Sequence, residues 1–580
     1  MGWVMKFKRI TLLGLLAVTL TGCLSHVPDK GAISYGAEAY APSSQNFVRT
    51  LVSPPTIGAT PRSLIREFLA ANAGDQGDYA TSRLYLAPEE RYLWHPEAGV
   101  RIYSDRLQII FTHPPRGSET YAFSAPMLGT IDGQGHYERA ANGSMLYENY
   151  SVRQVNGDWR ISSLADGLAL SQSDVARSYR QLNVYFLNPS KRNLVPDSVY
   201  LPVNLGISTS LVRALLAGPT KWLSPAVTTS IPFDTSLTVG SVPIQLGVAN
   251  VDLSSSAVPL SSIDRVAMSA QIIWTLKQLA EVAAVRITLG RVPLIVPGAG
   301  EAQSRFSYSS FSPDVITGDV KPFVINDLGL ASVSNLLTKP TLVQAKSNSN
   351  ANIAQFEFAA ISLDGRSIAG ITPAGSLVSG PLSGPFDLRV ASSTNANWAT
   401  PSWDSDGNLW AVRTAPDQTN VYVFTPAGTT APVMAQNLTH RAVQAFRIAR
   451  DGTRVAFAIA GATSSRLFVA RVVRLNSGMD LQFRIESPIE LPWSGGAITL
   501  INWLDSTHLV ILTSATPKSV WRVAIDASEV INLAGIIDPV AIAAAPGMPV
   551  LAVDKTGKLL AMIGQSWQLI GAGRFPMYPG

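Results

Sequence analysis

Trp398-Ala399-Thr400-Pro401-Ser402-Trp403-Asp404-Ser405-Asp406-Gly407-Asn408-Leu409-Trp410-Ala411-Val412-Arg413 reads as a strand, a tight turn and a second strand. Glycine supplies the positive φ such a turn needs, and aspartate bonds the backbone beyond it. The unit recurs. Residues 356–363 meet Asp364-Gly365, 446–450 meet Asp451-Gly452, 500–504 meet Asp505-Ser506, and 541–545 meet Pro546-Gly547. A second apolar strand follows each turn, at 368–371, 409–413, 455–459, 509–513 and 550–553. Third and fourth strands follow at 421–424, 467–473, 520–525 and 567–570. The turns lie roughly 40 to 55 residues apart, the period of a four-stranded propeller blade. Each sheet alone would leave a face and its edges bare, and closing a ring buries both. The sequence therefore predicts an all-β propeller of five or six four-stranded blades over 351–580. Residues 297–350 precede it as a linker or an extra blade, with Pro322-Phe323-Val324-Ile325 extended.

Upstream, residues 182–296 mix both periodicities. Asn183-Val184-Tyr185-Phe186-Leu187 is strand-like, and Ser210 to Ala217 reads as a capped helix ended by Gly218-Pro219. Ser261 with Asp264 resembles a capping box, after which Val266, Ala270, Ile273, Leu276 and Ala280 line one helix face. Val285-Arg286-Ile287-Thr288-Leu289 closes the unit. The series V-Y-F-L, L-L-A-G-P, T-S-I-P, V-A-N-V-D-L and V-R-I-T-L resembles a GerMN domain. The resemblance implies a small α+β interaction module without catalysis.

Residues 61–170 form another α+β unit. Thr60 caps a helix with Pro61 at its first position and Leu64, Ile65, Phe68 and Leu69 on one face. A second short helix is predicted from Tyr79 to Leu86. The period then changes to two at 100–103, 107–111, 119–123 and 151–155, and Asn156-Gly157-Asp158 turns a hairpin into Trp159-Arg160-Ile161. Helices followed by a curved antiparallel sheet resemble the NTF2-like cone.

The chain opens with Lys6-Phe7-Lys8-Arg9 and an apolar run from Ile10 to Leu20, a secretory signal peptide over 1–22. The run is shorter than the roughly 20 residues that cross a bilayer. Leu20-Thr21-Gly22-Cys23 resembles the lipobox of bacterial lipoproteins. That resemblance implies cleavage after Gly22 and a diacylglyceryl group on the Cys23 sulfur. Two acyl chains anchor stably where one does not. Residues 23–60, rich in proline, glycine and serine, are predicted to be a flexible tether.

Cys23 is the one cysteine in 580 residues, so no internal disulfide forms and packing must hold the exported domains. Charged residues are 15% and apolar ones 46%, a globular balance. The net charge of +5 is too diffuse to argue nucleic-acid binding. Lipobox, NTF2-like region, GerMN region and propeller, in that order, resemble the actinobacterial LpqB lipoproteins across almost the whole mature chain. The resemblance implies an envelope lipoprotein on the extracytoplasmic face of the cell membrane. It further implies contact with the sensor region of an MtrB-type histidine kinase and modulation of MtrA–MtrB signalling.

Catalytic motifs are missing from the sequence: no G-x-S-x-G, H-E-x-x-H, Walker loop or G-x-G-x-x-G occurs. None of the six histidines is spaced as a local metal pair. The chain is accordingly expected to be no enzyme and to need no cofactor or metal. Three clusters admit a functional reading beside a structural one. The carboxylates of Asp404-Ser405-Asp406-Gly407-Asn408 suit calcium or a plain hairpin. Trp398, Trp403 and Trp410 suit an aromatic platform for cell-wall glycan or peptide, or packing between blades. Arg441, Arg447, Arg450, Arg454, Arg466 and Arg471 suit a basic propeller face or a solvated surface. The leading expectation is a lipid-anchored interaction scaffold, and the alternative is cell-wall glycan or peptide binding in the propeller channel. A hydrolase with residues converging from separate blades is a third reading.

Overall fold

The computed structural model describes residues 52–580 except 75–77, 106–109, 113–118, 142, 205, 255–259, 315–319, 337–339, 345–352, 383–388, 391–396, 416–417, 462–463 and 478–479. The signal peptide, the lipobox, Cys23 and the tether as far as residue 51 lie outside the described residues. The described residues all fall in one compact unit. No helix among them is long and apolar enough to cross a membrane.

The first domain opens with helix Pro61–Ala71, where the Thr60 hydroxyl accepts from the Ser63 N–H as a cap. Leu64, Ile65, Phe68 and Leu69 are its buried face. The second helix is shorter than predicted, only Ala80–Arg83. Strand Thr120–Asp132 organises the sheet because its two halves have different partners. The first half pairs with Met145–Val155 and the second with Gly99–Tyr103, so one strand carries the bend. Asn156 and Gly157, both at positive φ, turn Met145–Val155 into Asp158–Ser163 as expected. The predicted tether ends earlier than residue 60. The Tyr85 hydroxyl donates to the Ser53 carbonyl at 2.9 Å, and the Gly58 N–H donates to Asp158 at 3.1 Å. These bonds fasten the segment to the domain it precedes.

In the second domain, Tyr179–Leu187 pairs with Leu194–Pro202, and Val248–Leu253 runs parallel to Ala284–Leu289. Helix Ser262–Leu276 is the crossover that a parallel pair requires. The other helix begins at Ile207 rather than Ser210, with Gly206 as its cap residue. Its buried positions explain the extra turn: Ile207 and Ser208 already face the core, ahead of Leu211, Val212 and Leu215. At Ser261 only half a capping box forms. The Ser261 hydroxyl accepts from the Asp264 N–H, while the Asp264 carboxylate turns to Lys191 at 2.8 Å and Ser230 at 3.1 Å.

Six sheets follow. Blades two to six start at Phe358–Ile361, Asn397–Trp398, Val443–Ile448, Ile498–Trp503 and Pro539–Ala543. The remaining sheet is blade one, Phe323–Asn326, Gly329–Ser334 and Thr341–Gln344, and its fourth strand is Pro576–Met577 from the far end of the chain. Phe323 pairs with Met577 and Val324 with Pro576. The propeller thus starts near residue 323 and not 351, because the ring closes by pairing its first blade with its last strand. That pairing removes the two edges an open ring would expose.

Candidate interaction surface

The propeller axis is filled with arginine and the closing segment. Arg447 donates to the Pro401 carbonyl at 3.0 Å and to the Gly580 carbonyl. Arg450 donates to the carbonyls of Trp503, Ala544 and Pro579, each at 3.3 Å. Arg454, 1% exposed, pairs with Asp451 and donates to the Ser506 carbonyl at 2.9 Å. Burial pushes the Arg447 guanidinium down to about 9, with the Arg450 charge adding to the effect. Burial also lowers Arg450, to about 10, against the pull of Asp314 and Asp505. The reading of these three arginines as a basic face or a solvated surface is therefore corrected: their charges face carbonyls of several blades. Arg441 and Arg466 do lie at the surface, Arg466 paired with Glu490.

Among the described residues the axis keeps a cavity of about 20 Å³, bordered by Arg447, Asn502 and Tyr578. A cavity of this size has room for about one water, whereas ligand pockets run from about 300 Å³ upward. A sugar ring does not enter such a space. The tryptophans are no platform either. Trp403 donates from its indole to the Ala360 carbonyl and Trp398 to the Gly375 carbonyl, so both join blade three to blade two. Trp410 is fully buried and donates to Asp404 at 2.9 Å. Asp404 also accepts from the Asp406 and Asn408 N–H groups and from the Asn408 amide. Burial pushes its carboxyl up while those donors pull it back. Its oxygens serve the hairpin. Asp406, the turn carboxylate aligned with the other blades, reaches Arg474 at 2.7 Å. Among the described residues no group of three or more His, Cys, Asp or Glu is placed to hold a metal ion.

The three domains meet at Tyr200. Its N–H donates to the Gly135 carbonyl at 2.7 Å, and its ring lies 5.6 Å from that of Tyr137 in the first domain. A Cβ at residue 135 would stand 2.9 Å from the Tyr200 carbonyl oxygen, at φ +91°, so only glycine fits. The Tyr200 hydroxyl donates to Asp526 of blade five at 3.0 Å. Burial, reinforced by the Asp526 charge, raises this phenol. Beside it the second domain sets Val195, Leu223 and Ala226 against Val473 of blade four. The Trp222 indole donates to the Ser487 carbonyl at 2.7 Å. Arg471 returns a bond to the Trp222 carbonyl at 2.7 Å. Nothing in the local sequence marks these contacts, since each joins residues far apart in the chain.

A larger opening lies in the second domain, a groove of about 300 Å³. Its floor is Leu253, Met268 and Leu294, all buried, and its rim is Val292 and Ile295, 65% and 78% exposed. Arg265, one turn into helix Ser262–Leu276, is the one charged lining residue among the described residues. Its Nη2 donates to the Ser262 hydroxyl at 3.2 Å, while its buried Nε has no hydrogen-bond partner among the described residues. Of the groove residues, Leu253 belongs to the V-A-N-V-D-L strand of the GerMN resemblance, and none was a functional candidate. A signal was present in Val292-Pro293-Leu294-Ile295, a short apolar run interrupted by a proline that cannot donate to a ladder.

Comparison with known proteins follows the same three divisions. Residues 54–176 match the family model described as "Lipoprotein LpqB, N-terminal domain". Residues 183–294 match "Sporulation and spore germination", and residues 344–579 match "Lipoprotein LpqB beta-propeller domain". Lipoprotein LpqB of Thermobifida fusca is 29% identical over 97% of each chain. The Cutibacterium acnes LpqB is 28% identical over 93% of each. That of Streptomyces avermitilis is 26% identical, over 98% of this chain and 97% of the relative.

Proposed function

This chain belongs to the LpqB lipoprotein family, and from that premise we propose that it is a lipid-anchored scaffold that binds other envelope proteins and catalyses nothing. Cys23 carries the anchor, a diacylglyceryl group on its sulfur, after cleavage behind Leu20-Thr21-Gly22. The folded domains then stand on the extracytoplasmic face. Their partner is the extracytoplasmic domain of an MtrB-type sensor histidine kinase, whose signalling the contact modulates.

One observation carries this reading: three domains are fused through Tyr200 and Trp222 while the propeller axis is packed shut. Such a body offers faces and grooves, and its surplus binding energy goes to a partner surface. The filled axis argues against the channel as a glycan seat. The experiment is co-purification from membranes of the full chain with the kinase sensor domain, run beside Cys23→Ala. Binding that needs the sensor domain, and palmitate label that disappears in Cys23→Ala, are expected. Reproducible absence of binding overturns the partner, and label persisting in Cys23→Ala overturns the anchor.

A further inference from the structure

We infer that the groove beside Arg265 docks the apolar face of a helix from a partner envelope protein, with a carboxylate of that helix received by the Arg265 guanidinium. The inference deepens the scaffold reading and rests on it. Three observations choose the occupant.

The first is charge. Among the described lining residues Arg265 is the one ion, in a lining that is apolar apart from Thr235 and Ser254. Its terminal nitrogens, of which only Nη2 is engaged among the described residues and that by the Ser262 hydroxyl, are the ones an incoming acceptor would meet. A carboxylate fits best, because it pairs with the planar guanidinium in a charge-assisted bond. An anionic lipid surface is met by clusters of lysine and arginine. The lining of this groove holds a single cation.

The second is the sheet edge. Val292–Pro293 is the outermost strand on this side, paired only to Ala284–Leu289. Pro293 has no N–H to offer, so a partner strand cannot extend the ladder there. Recognition must come through side chains, as when a helix lays apolar anchors at i, i+3, i+4 and i+7 into a groove.

The third is the rim. Val292 and Ile295 continue the apolar floor outward into solvent. A groove of about 300 Å³ sits at the small end of sites that take a ligand. The rim extends the contact along a helix beyond what one small molecule would cover.

The test places a photoreactive benzoylphenylalanine at Ile295 of the full-length chain in its own membrane, and identifies the adduct peptide. Ile295 is exposed, so the replacement does not disturb the core. The expected adduct is a segment of one envelope protein with apolar residues at helical spacing and an aspartate or glutamate among them. Arg265→Gln is expected to cut its yield about tenfold, and Arg265→Lys to restore part of it. Circular dichroism and melting of the purified variants should match the parent. Adducts only to lipid, only to a second copy of this chain, or with yield unmoved by Arg265→Gln overturn the inference. An adduct of the expected kind on a protein other than a sensor kinase keeps the inference and removes the kinase. Kinase binding that survives both Arg265→Gln and Ile295→Glu keeps the kinase and removes the groove.

Discussion

Two regions of this molecule put arginine beside an opening, and they treat it in opposite ways. At the propeller axis, Arg447 and Arg450 donate hydrogen bonds to the carbonyls of Pro401, Trp503, Ala544 and Pro579, and little space is left. In the second domain, Arg265 borders about 300 Å³ of apolar groove with its Nε unpaired among the described residues. The difference teaches where to look for function. A charge whose donors reach carbonyls of several blades holds a structure together, whereas one beside an open apolar wall can receive a partner.

The comparison can be broken first at the propeller. Trp403→Ala removes a buried indole between blades two and three and should cost about 3–5 kcal/mol, read as early loss of propeller signal in urea. A wild-type melt with altered glycan binding would return the platform reading. Arg450→Ala should cost about 3 kcal/mol, because it strips donors from three buried carbonyls at once. Arg265→Ala should change stability by less than about 0.5 kcal/mol, the ordinary range for a substitution outside a packed network.

At the junction, Tyr200→Phe deletes one hydrogen bond and should cost about 1 kcal/mol. Faster hydrogen exchange confined to 132–137 and 525–529 would show that the bond joins the domains. A comparably small effect is the titration of Asp264. Hydrogen bonds from Lys191, Ser261 and Ser230 hold its carboxyl down at about 2, below the ordinary carboxylate value. A carboxyl depressed in the folded state adds stability above its unfolded pKa. That contribution is lost as pH falls from about 4 through 2. The loss should be no more than about 1 kcal/mol, because the side chain is partly in water, and Asp264→Asn should flatten it.

Much of the fold was legible because it is local. An Asp-Gly turn between apolar runs announces a hairpin wherever it occurs, and five of the six blades repeat some form of it. The first blade was faint because its fourth strand comes from residues 576–577, a pairing across more than 200 residues that no window contains. The buried arginines were misread for a related reason. Arg447, Arg450 and Arg454 look like surface residues until carbonyls from other blades are brought around them. The hint was their setting, in or beside strands Val443–Ile448 and Arg454–Ile459, where Gln444 is the one other polar residue. The groove was hidden more deeply, since strand 284–289, helix 262–276 and the edge at 292–295 form it only once the crossover is made.

The most direct trial of this account is hydrogen–deuterium exchange of the mature chain, alone and saturated with the kinase sensor domain. Slowed exchange at 262–268 and 289–296, with 444–450 and 575–580 unchanged, is the predicted footprint. Protection gathered at 444–450 and 575–580, with the groove exchanging as before, would contradict it.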